Sequence, residues 1–494
     1  MKTKKFAVLL FTLILALGLF PMSVFAAQST VTPTSTASIT INNAVENDVL
    51  AAYKVIDITY NATSNQLSYA WNTNFANYFA GKTVEDFAAL NEDDLKNLLA
   101  GLPAYIATNS ISPVDTQTVA AGGTATFANL AMGEYFIRPS STTSIYQLML
   151  QKVEPTVVDG EYKIDTVEFT AKKAEVSITK TADKTSVTKG EKVAYTVTVD
   201  IPTYSAEATD KTFSVSDLLT DGLTIDADSI KVQIDGTDVE AAAYTLDIDT
   251  NATAGYTFKL SVDSAKYVAN WTANAGKKLV ITYTATLNDN GTTAVNAKET
   301  NKATFDYSNY PYVEDSHKQK TDTVDVTTFE IKIDKYDNAD ESTKLSGAKF
   351  DLYRTLAAGE EAPEGKTLVN IPQTNPAVQG ILLEEGLTTN ANGEAKFEKY
   401  EANGTKYDYY LVETRAPSGY NILTNAVKVN FTDENVANTA GVYTVKVPNS
   451  SGITLPITGG EGIVLFSVIG IVFMGGAVFL FIMTRKKAKA NDKK

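Results

Sequence analysis

Six polar residues fall on the apolar faces of predicted β-strands, and their order along the chain repeats. On a strand, residues two apart share a face, so a polar residue that continues an apolar alternation is expected to point inward. Each set consists of a lysine, an acid and an asparagine. The two sets are Lys180, Asp217 and Asn301, and Lys335, Glu413 and Asn449. The repeated order suggests that the three members of each set meet in space.

The alternation behind this prediction is visible in the sequence. In the C-terminal set, the three residues continue the series Phe329, Ile331 and Ile333; Tyr409 and Leu411; and Tyr443, Val445 and Val447. In the other set, the lysine continues Val176 and Ile178, the acid continues Phe213 and Val215, and the asparagine shares a face with Ala303 and Phe305. The alternative is that strand-end lysines extend to water and the asparagines occupy turns.

A buried lysine, acid and asparagine in contact have a specific reaction open to them. Burial disfavours both charged forms, so the pKa of the lysine should fall and the pKa of the acid should rise. The neutral amine can then attack the side-chain carbonyl of the asparagine, while the acid polarises that carbonyl and transfers the proton. Ammonia leaves. The product is an isopeptide cross-link, predicted to join the first and last strands of a domain.

The surrounding sequence predicts a mainly β protein. From Ser38 onward, short alternating segments rich in Val, Ile, Thr, Tyr and Phe are separated by Asp, Asn and Gly turns, which is typical of tandem Ig-like β-sandwiches. The exception is the segment from Thr83 to Leu102, where apolar residues follow helical spacing and Thr83 and Asn91 are candidate N-caps. We therefore expect one or two short helices inserted into the first domain. Composition breaks predict three domains, at 28–172, 173–326 and 327–454.

Both ends of the chain carry targeting signals. Three lysines precede an apolar stretch and a cleavage site after Ala26, so residues 1–26 are predicted to be a signal peptide. Near the other end, the uncharged segment 463–483 is long enough to cross a membrane as a helix, and a basic tail follows it. Leu455, Pro456, Ile457, Thr458 and Gly459 precede this segment. The simplest interpretation of residues 455–494 is an ordinary membrane anchor.

The composition excludes several functional classes. A formal net charge of −15 disfavours nucleic acid and anionic membranes as partners. With no cysteine and one histidine, the usual catalytic and metal-binding groups are nearly absent, so we expect no cofactor and no metal. We also expect the chain not to be an enzyme. A glycosidase with a carboxylate pair such as Asp93 and Asp94 is the alternative, although neighbouring acids of this kind are usually solvated.

Several motifs resemble those of sortase-assembled backbone pilins of Gram-positive bacteria. The segment YLVETRAPSGY at 410–420 resembles their E-box, and residues 334–337 with 345–350 resemble the opening of a Cna B-type domain. Residues 217–223 and 301–309 resemble their middle domain. The pentapeptide 455–459 resembles the LPxTG sorting signal, which sortase cuts between Thr458 and Gly459.

The resemblance assigns roles to these residues. It implies that the two lysine–acid–asparagine sets are intramolecular isopeptide triads of Cna B-type domains. The first domain departs from the pattern, because its opening strand at 38–42 has no lysine, so no bond is expected there. The end of that domain takes the place of the pilin motif, whose usual Tyr-Pro-Lys-Asn is Thr-Ala-Lys-Lys here. Residue alternation places Lys172 on the solvent side and favours it as the intersubunit acceptor, with Lys173 as the alternative.

The function implied by the resemblance is that of a structural shaft subunit of a surface pilus. Sortase would join Thr458 to Lys172 of the next subunit, and the completed fibre would be anchored to the cell wall. The implied partners are a class C-type pilus sortase, a housekeeping sortase, identical subunits, minor or tip pilins, peptidoglycan and a host surface. The alternative is a monomeric cell-wall-anchored adhesin that binds a host ligand. It would share every feature except the acceptor lysine.

Overall fold

The computed structural model describes residues 29–141, 144–291, 298–363, 365–401, 408–429, 436–439, 441–451 and 469–482. Strands dominate these residues, as predicted, because β-branched and aromatic side chains alternate with polar ones. The described residues form two compact units. The first comprises those up to 185 with 189–291 and 298–326, and the second comprises 186–188 and those from 327 onward. The three-domain division stays a prediction. Apart from residues 186–188, the described residues of the first two predicted domains lie in the first unit, but their strands form separate sheets.

The described residues up to 174 form several small sheets. Their strands are β1 (Ser29–Thr30), β2 (Thr36–Asn42), β3 (Val49–Asn61), β4 (Gln66–Trp71), β5 (Asp115–Thr118), β6 (Ala125–Ala131), β7 (Gly133–Ser141), β8 (Ile145–Tyr146), β9 (Met149–Val153), β10 (Thr156–Val158), β11 (Glu161–Ile164), β12 (Val167–Thr170) and β13 (Lys173–Ala174). The largest sheet has the order β4-β3-β7-β9, with β5 also paired to β3. In another sheet β12 lies parallel to β2, which pairs with β6 on its other side.

The helical insertion between β4 and β5 is larger than predicted. It contains α1 (Val84–Ala88), α2 (Glu92–Ala100) and α3 (Leu102–Thr108). Thr83 and Asn91 cap the first two helices as predicted, since each side-chain oxygen accepts a hydrogen bond from the backbone N–H three residues on. The third helix was not predicted. Its Pro103 looks like a helix terminator in the sequence, yet it lies in the first turn, where a missing N–H breaks no helical hydrogen bond.

The described residues from 178 to 327 form two five-stranded sheets that face each other. Their strands are β14 (Ile178–Ala182), β15 (Lys192–Asp200), β16 (Phe213–Leu219), β17 (Leu223–Ile234), β18 (Thr237–Asp238), β19 (Thr245–Ile248), β20 (Phe258–Val262), β21 (Lys278–Leu287), β22 (Lys298–Ser308) and β23 (His317–Thr327). The strand orders are β14-β15-β21-β17-β18 and β19-β20-β16-β22-β23. Short helical turns cover Ala241–Ala243, Ser264–Lys266, Tyr267–Trp271 and Thr272–Asn274. Alternate residues of both sheets are buried between them, as in a β-sandwich.

The described residues from 329 to 449 form a second pair of sheets. Their strands are β24 (Phe329–Asp337), β25 (Asp340–Lys344), β26 (Lys349–Arg354), β27 (Leu368–Asn370), β28 (Gln379–Thr388), β29 (Glu394–Tyr400), β30 (Tyr409–Arg415), β31 (Val427–Val429), β32 (Val436–Thr439) and β33 (Val442–Asn449). One sheet has the order β25-β24-β33-β32, with β29 also paired to β24, and the other has the order β27-β28-β26-β30-β31. The apolar core between them includes Ile333, Phe350, Leu411 and Val447.

Candidate functional site

The C-terminal lysine, acid and asparagine lie together inside the second unit. Lys335 is on β24 and Asn449 is on β33, and these strands are parallel neighbours. In their register Lys335 lies opposite Val447, two residues before Asn449. Glu413 is on β30, in the facing sheet. The first and last strands of this fold therefore lie side by side, and the acid reaches their two side chains from across the core.

The contacts within this cluster are short and use every polar group. Lys335 Nζ donates hydrogen bonds to Oδ1 of Asn449 and to the backbone oxygen of Val447, the latter at 3.0 Å. Asn449 Nδ2 donates to both carboxylate oxygens of Glu413, each at 3.0 Å. Glu413 Oε1 lies 3.7 Å from Lys335 Nζ. The carboxylate thus lies close to both nitrogen atoms that would exchange a proton in the predicted reaction.

Burial sets the electrostatics of this cluster. The side chains of Lys335 and Glu413 have no exposed surface, and Asn449 is 1% exposed. Desolvation lowers the pKa of Lys335 to about 8, because the charged ammonium is disfavoured away from water, although the nearby Glu413 charge opposes the shift. This shift favours the neutral amine that the predicted reaction needs.

The other cluster lies between the two sheets of residues 178–327. Lys180 is on β14 in one sheet, whereas Asp217 and Asn301 are on the neighbouring strands β16 and β22 of the other. All three are at most 5% exposed, as the residue alternation predicts. One expectation was wrong here. Asn301 is not on the last strand, because β23 continues the sheet beyond β22. Asp322 of β23 accepts a hydrogen bond from the backbone N–H of Lys180 at 2.7 Å.

A tyrosine occupies the centre of this second cluster. Lys180 Nζ contacts Oδ2 of Asp217 and donates a hydrogen bond to Tyr283 Oη at 2.6 Å. Tyr283 Oη donates to Oδ1 of Asp217 at 2.8 Å and accepts from Asn301 Nδ2 at 2.7 Å. Among the described residues, the other amide atom, Asn301 Oδ1, is buried with no hydrogen-bond partner. The ring of Tyr195 stacks on Tyr283 with centroids 5.4 Å apart.

The pKa directions in this cluster agree with the prediction for a buried pair. Desolvation lowers the pKa of Lys180 and raises the pKa of Asp217, even though each charge stabilises the other. Both shifts favour a neutral amine beside a protonated acid. Tyr283 was missed from the sequence. The alternation of Leu279, Ile281 and Tyr283 on β21 would have placed it inward, but a buried tyrosine is usual in a β-sandwich and carries no functional signal by itself.

The candidate acceptor lysines lie at the end of the first predicted domain. Phe169 and Ala171 are buried, as predicted, but Lys172 is half-buried and not fully exposed. The charge of Lys172 acts on Glu92 at the start of α2. The pKa of Glu92 is lowered mainly by Lys96, and Lys172 adds a smaller effect in the same direction. Lys173 is also half-buried; it pairs with Tyr146 of β8 in the sheet register, and its ammonium contacts Glu175. With its side chain 11% exposed, Lys173 is the more restrained of the two.

The opening strand of the first predicted domain offers no lysine for a cross-link. β2 runs parallel to β12, with Ile39 and Ile41 opposite Val167 and Phe169. This parallel pairing of an early strand with a late one resembles that of β24 with β33, but apolar residues occupy the buried positions. The expectation of no bond in this domain stays a prediction.

The predicted targeting segments lie largely outside the described residues. These include the signal peptide at 1–26 and the sortase pentapeptide Leu455, Pro456, Ile457, Thr458 and Gly459. Within the predicted membrane segment, residues 469–482 are helical. In the described part of the chain, no helix has both the length and the hydropathy needed to cross a membrane.

Comparison with known families matches three parts of the chain. Residues 189–311 match the Gram-positive pilin backbone subunit 2, Cna-B-like domain. Residues 329–445 match the SpaA prealbumin-like fold domain, and residues 447–489 match the LPXTG cell wall anchor motif. The predicted resemblance to Gram-positive backbone pilins, the predicted fold class and the predicted cell-wall anchor are thereby confirmed.

Relatives of known identity agree with these matches. The type 1 fimbrial subunit of Actinomyces viscosus is 26% identical over 62% of this chain and 63% of its own length. The trypsin-resistant surface T6 protein of Streptococcus pyogenes serotype M6 is 23% identical over 62% of this chain and 66% of its own. The matched region thus spans slightly less than two thirds of each relative.

Solved structures show the same fold. The T6 backbone pilin of serotype M6 Streptococcus pyogenes superposes with a TM-score of 0.61 at 19% identity, over 86% of this chain and 100% of that one. The full-length major pilin SpaD of Corynebacterium diphtheriae gives a TM-score of 0.55 at 17% identity, over 85% and 99%. At these identities the likeness establishes the arrangement of strands and not the chemistry of individual residues.

Proposed function

We propose that this chain is the structural shaft subunit of a covalent surface pilus, assembled by sortase and anchored to the cell wall. The observation that carries the proposal is a pilin backbone domain match in a chain that also carries an LPXTG anchor motif. In this role the protein is a substrate of the assembling enzyme. Its own chemistry is limited to cross-linking itself once, which is not enzymatic turnover.

The second unit supports a complete proposal for one cross-link. The neutral amine of Lys335 attacks Cγ of Asn449, whose oxygen it already contacts. Glu413 accepts the proton that Nζ loses and delivers it to Nδ2, since its carboxylate lies 3.7 Å from the first nitrogen and 3.0 Å from the second. The Cγ–Nδ2 bond breaks, ammonia leaves, and an amide joins Lys335 to Asn449.

The cluster between β14, β16 and β22 supports the same reaction for Lys180 and Asn301. Its amine and acid are in contact, and burial favours their neutral forms. The resulting bond would join the two sheets of the sandwich, since Lys180 and Asn301 lie in different sheets. Two cross-links would therefore form in the exported protein, with Asp217 and Glu413 as the catalytic acids.

Subunits would be joined by a separate reaction that sortase catalyses. The enzyme cleaves between Thr458 and Gly459, and the acyl group on Thr458 passes to Lys172 of the next subunit. Lys172 is favoured over Lys173 because the ammonium of Lys173 is held by Glu175. The partners are a pilus sortase of class C, identical subunits, minor or tip pilins, and a housekeeping sortase that attaches the fibre to peptidoglycan. A host surface is the remaining proposed partner.

The distribution of the protein in wall extracts tests this proposal. Cell walls digested with a muramidase should be boiled in detergent, separated by size and probed with antibody against this chain. A ladder of high-mass species that survives boiling is expected of covalent polymer. A single wall-linked band would instead identify a monomeric adhesin and overturn the shaft proposal.

A further inference from the structure

The two clusters differ in how the acid can reach the leaving nitrogen. In the second unit, the carboxylate of Glu413 contacts Nδ2 of Asn449 directly. In the cluster of the first unit, Asp217 hydrogen-bonds to Lys180 and to Tyr283, and the described contacts include none between Asp217 and Asn301. Tyr283 Oη, which donates to Asp217, accepts a hydrogen bond from Asn301 Nδ2 at 2.7 Å. The same reaction therefore needs another proton path here.

We propose that Tyr283 is a further catalytic residue of this cross-link and relays the proton from Asp217 to the leaving nitrogen of Asn301. The inference rests on the proposed isopeptide chemistry. Its basis is that one hydroxyl contacts all three partners: Nζ of Lys180 at 2.6 Å, Oδ1 of Asp217 at 2.8 Å and Nδ2 of Asn301 at 2.7 Å.

The relay balances without any further reactant. Lys180 Nζ gives one proton to Oδ2 of Asp217 and attacks Cγ of Asn301 as a neutral amine. As the tetrahedral intermediate collapses, Tyr283 Oη passes its own proton to Nδ2 and is reprotonated by Asp217. The Asp217 carboxylate formed in this way takes the second proton that Nζ loses, so Asp217 ends the reaction protonated. The Cγ–Nδ2 bond breaks, ammonia leaves with the transferred proton, and the hydroxyl is regenerated.

The surroundings of Tyr283 suit this role. Its ring packs edge-on against Phe258 and stacks on Tyr195, which fixes the position of the hydroxyl. Desolvation and the Asp217 charge raise the pKa of Tyr283 far above its ordinary value, so the hydroxyl keeps its proton until it is transferred. Lys180 Nζ also lies 5.1 Å from the centre of the Tyr283 ring, a contact that a phenylalanine would preserve.

The test follows both cross-links in the same molecule. The full chain with Tyr283→Phe is made by cell-free translation, stopped at intervals, digested with trypsin and analysed by mass spectrometry for each cross-linked peptide pair. Loss of a general acid predicts that the Lys180–Asn301 bond forms about 100-fold more slowly. The Lys335–Asn449 bond, in the other unit, should form at the wild-type rate and serves as the internal control.

Two further measurements separate a relay from a packing effect. In mixtures of light and heavy water, the rate at which the wild-type chain forms the Lys180–Asn301 bond should depend non-linearly on the fraction of heavy water, because more than one proton moves in the same step. For Tyr283→Phe the dependence should become linear. A fluorotyrosine placed at position 283 keeps the ring and hydroxyl but lowers the pKa of the phenol. It should therefore shift the pH dependence of the rate at which the Lys180–Asn301 bond forms.

The outcomes are distinct. An unchanged rate in Tyr283→Phe overturns the relay, and if that variant does not fold, an unchanged pH profile with fluorotyrosine overturns it equally. If the wild-type chain forms neither cross-link, the proposed isopeptide chemistry is wrong, and the relay proposal, which depends on it, is wrong as well. If the wild-type chain forms both bonds and Tyr283→Phe slows only the Lys180–Asn301 bond, the relay is supported.

Discussion

Asn449 donates two hydrogen bonds of 3.0 Å from one amide nitrogen to the two carboxylate oxygens of Glu413. The acid therefore holds the nitrogen that would leave, and the same carboxylate lies 3.7 Å from the lysine that would replace it. Removing this acid should leave the lysine and asparagine in place but unable to exchange a proton.

The first prediction is that Glu413→Ala removes one cross-link and leaves the other. The wild-type exported chain should have an intact mass lower than its sequence mass by two ammonia molecules. The variant should be lower by one, because the Lys180–Asn301 cluster lies in the other unit. Glu398→Gln, an exposed glutamate on β29, is the matched control and should keep both losses. A wild-type mass equal to the sequence mass would contradict the prediction.

The second prediction concerns the stability of the second unit. The Lys335–Asn449 bond joins residues 114 positions apart, and by analogy with the loop-entropy account of disulfides it should contribute on the order of 4–5 kcal/mol. Asn449→Ala should therefore lower the melting temperature of this unit and make it sensitive to trypsin. Scanning calorimetry should show little change in the transition of the first unit.

The reciprocal variant is the control for that experiment. Lys180→Ala removes the other cross-link and should shift the melting of the first unit alone. If Asn449→Ala melts as the wild type does, no closed bond exists in the second unit.

The third prediction identifies the acceptor lysine. Lys172→Ala should abolish the high-mass ladder while leaving monomer attached to the wall, because the cleavage site at Thr458 is unchanged. Lys173→Ala should leave the ladder intact, since the ammonium of Lys173 is held by Glu175. The reverse result would move the acceptor to Lys173 without affecting the pilin proposal. A ladder that persists in the double variant would place the acceptor elsewhere.

The fourth prediction is that His317 stays protonated well above neutral pH. Its ring nitrogens contact Asp210 at 3.2 Å and Asp306 at 2.5 Å, and these hydrogen bonds raise its pKa from 6.5 to about 10. Because the folded pKa is the higher one, the stabilisation is fully present below pH 6.5 and is lost as the pH rises through about 10. The chain has a single histidine, so NMR of the tag-free protein gives an unambiguous titration.

The control for this titration weakens one of the two contacts. Asp210→Asn should move the midpoint towards 6.5, because a neutral amide stabilises the imidazolium less than a carboxylate does. A wild-type midpoint near 6.5 would show that the two aspartates do not hold the charged ring.

The sequence predicted the six cluster residues because strand alternation determines the face to which each side chain points. All six are buried, as expected. Alternation does not show which residues meet across a sandwich, so the position of Tyr283 between Lys180 and Asn301 needed the structure. It also cannot show how strands are ordered, which is why Asn301 was expected on the last strand. The third helix was missed because the helical spacing of apolar residues was followed only as far as Leu102, the residue at which α3 begins.

The parallel pairing of β24 and β33 has a mechanical consequence once Lys335 is bonded to Asn449. If the chain is the proposed shaft subunit, tension on the fibre would load this unit at the start of β24 and at the end of β33. The load then runs along β24 as far as Lys335 and crosses the new bond to Asn449. Residues 336–448 lie outside this covalent path. In the proposed role the unit would bear tension through a few covalently connected residues, and its core would stay unstretched.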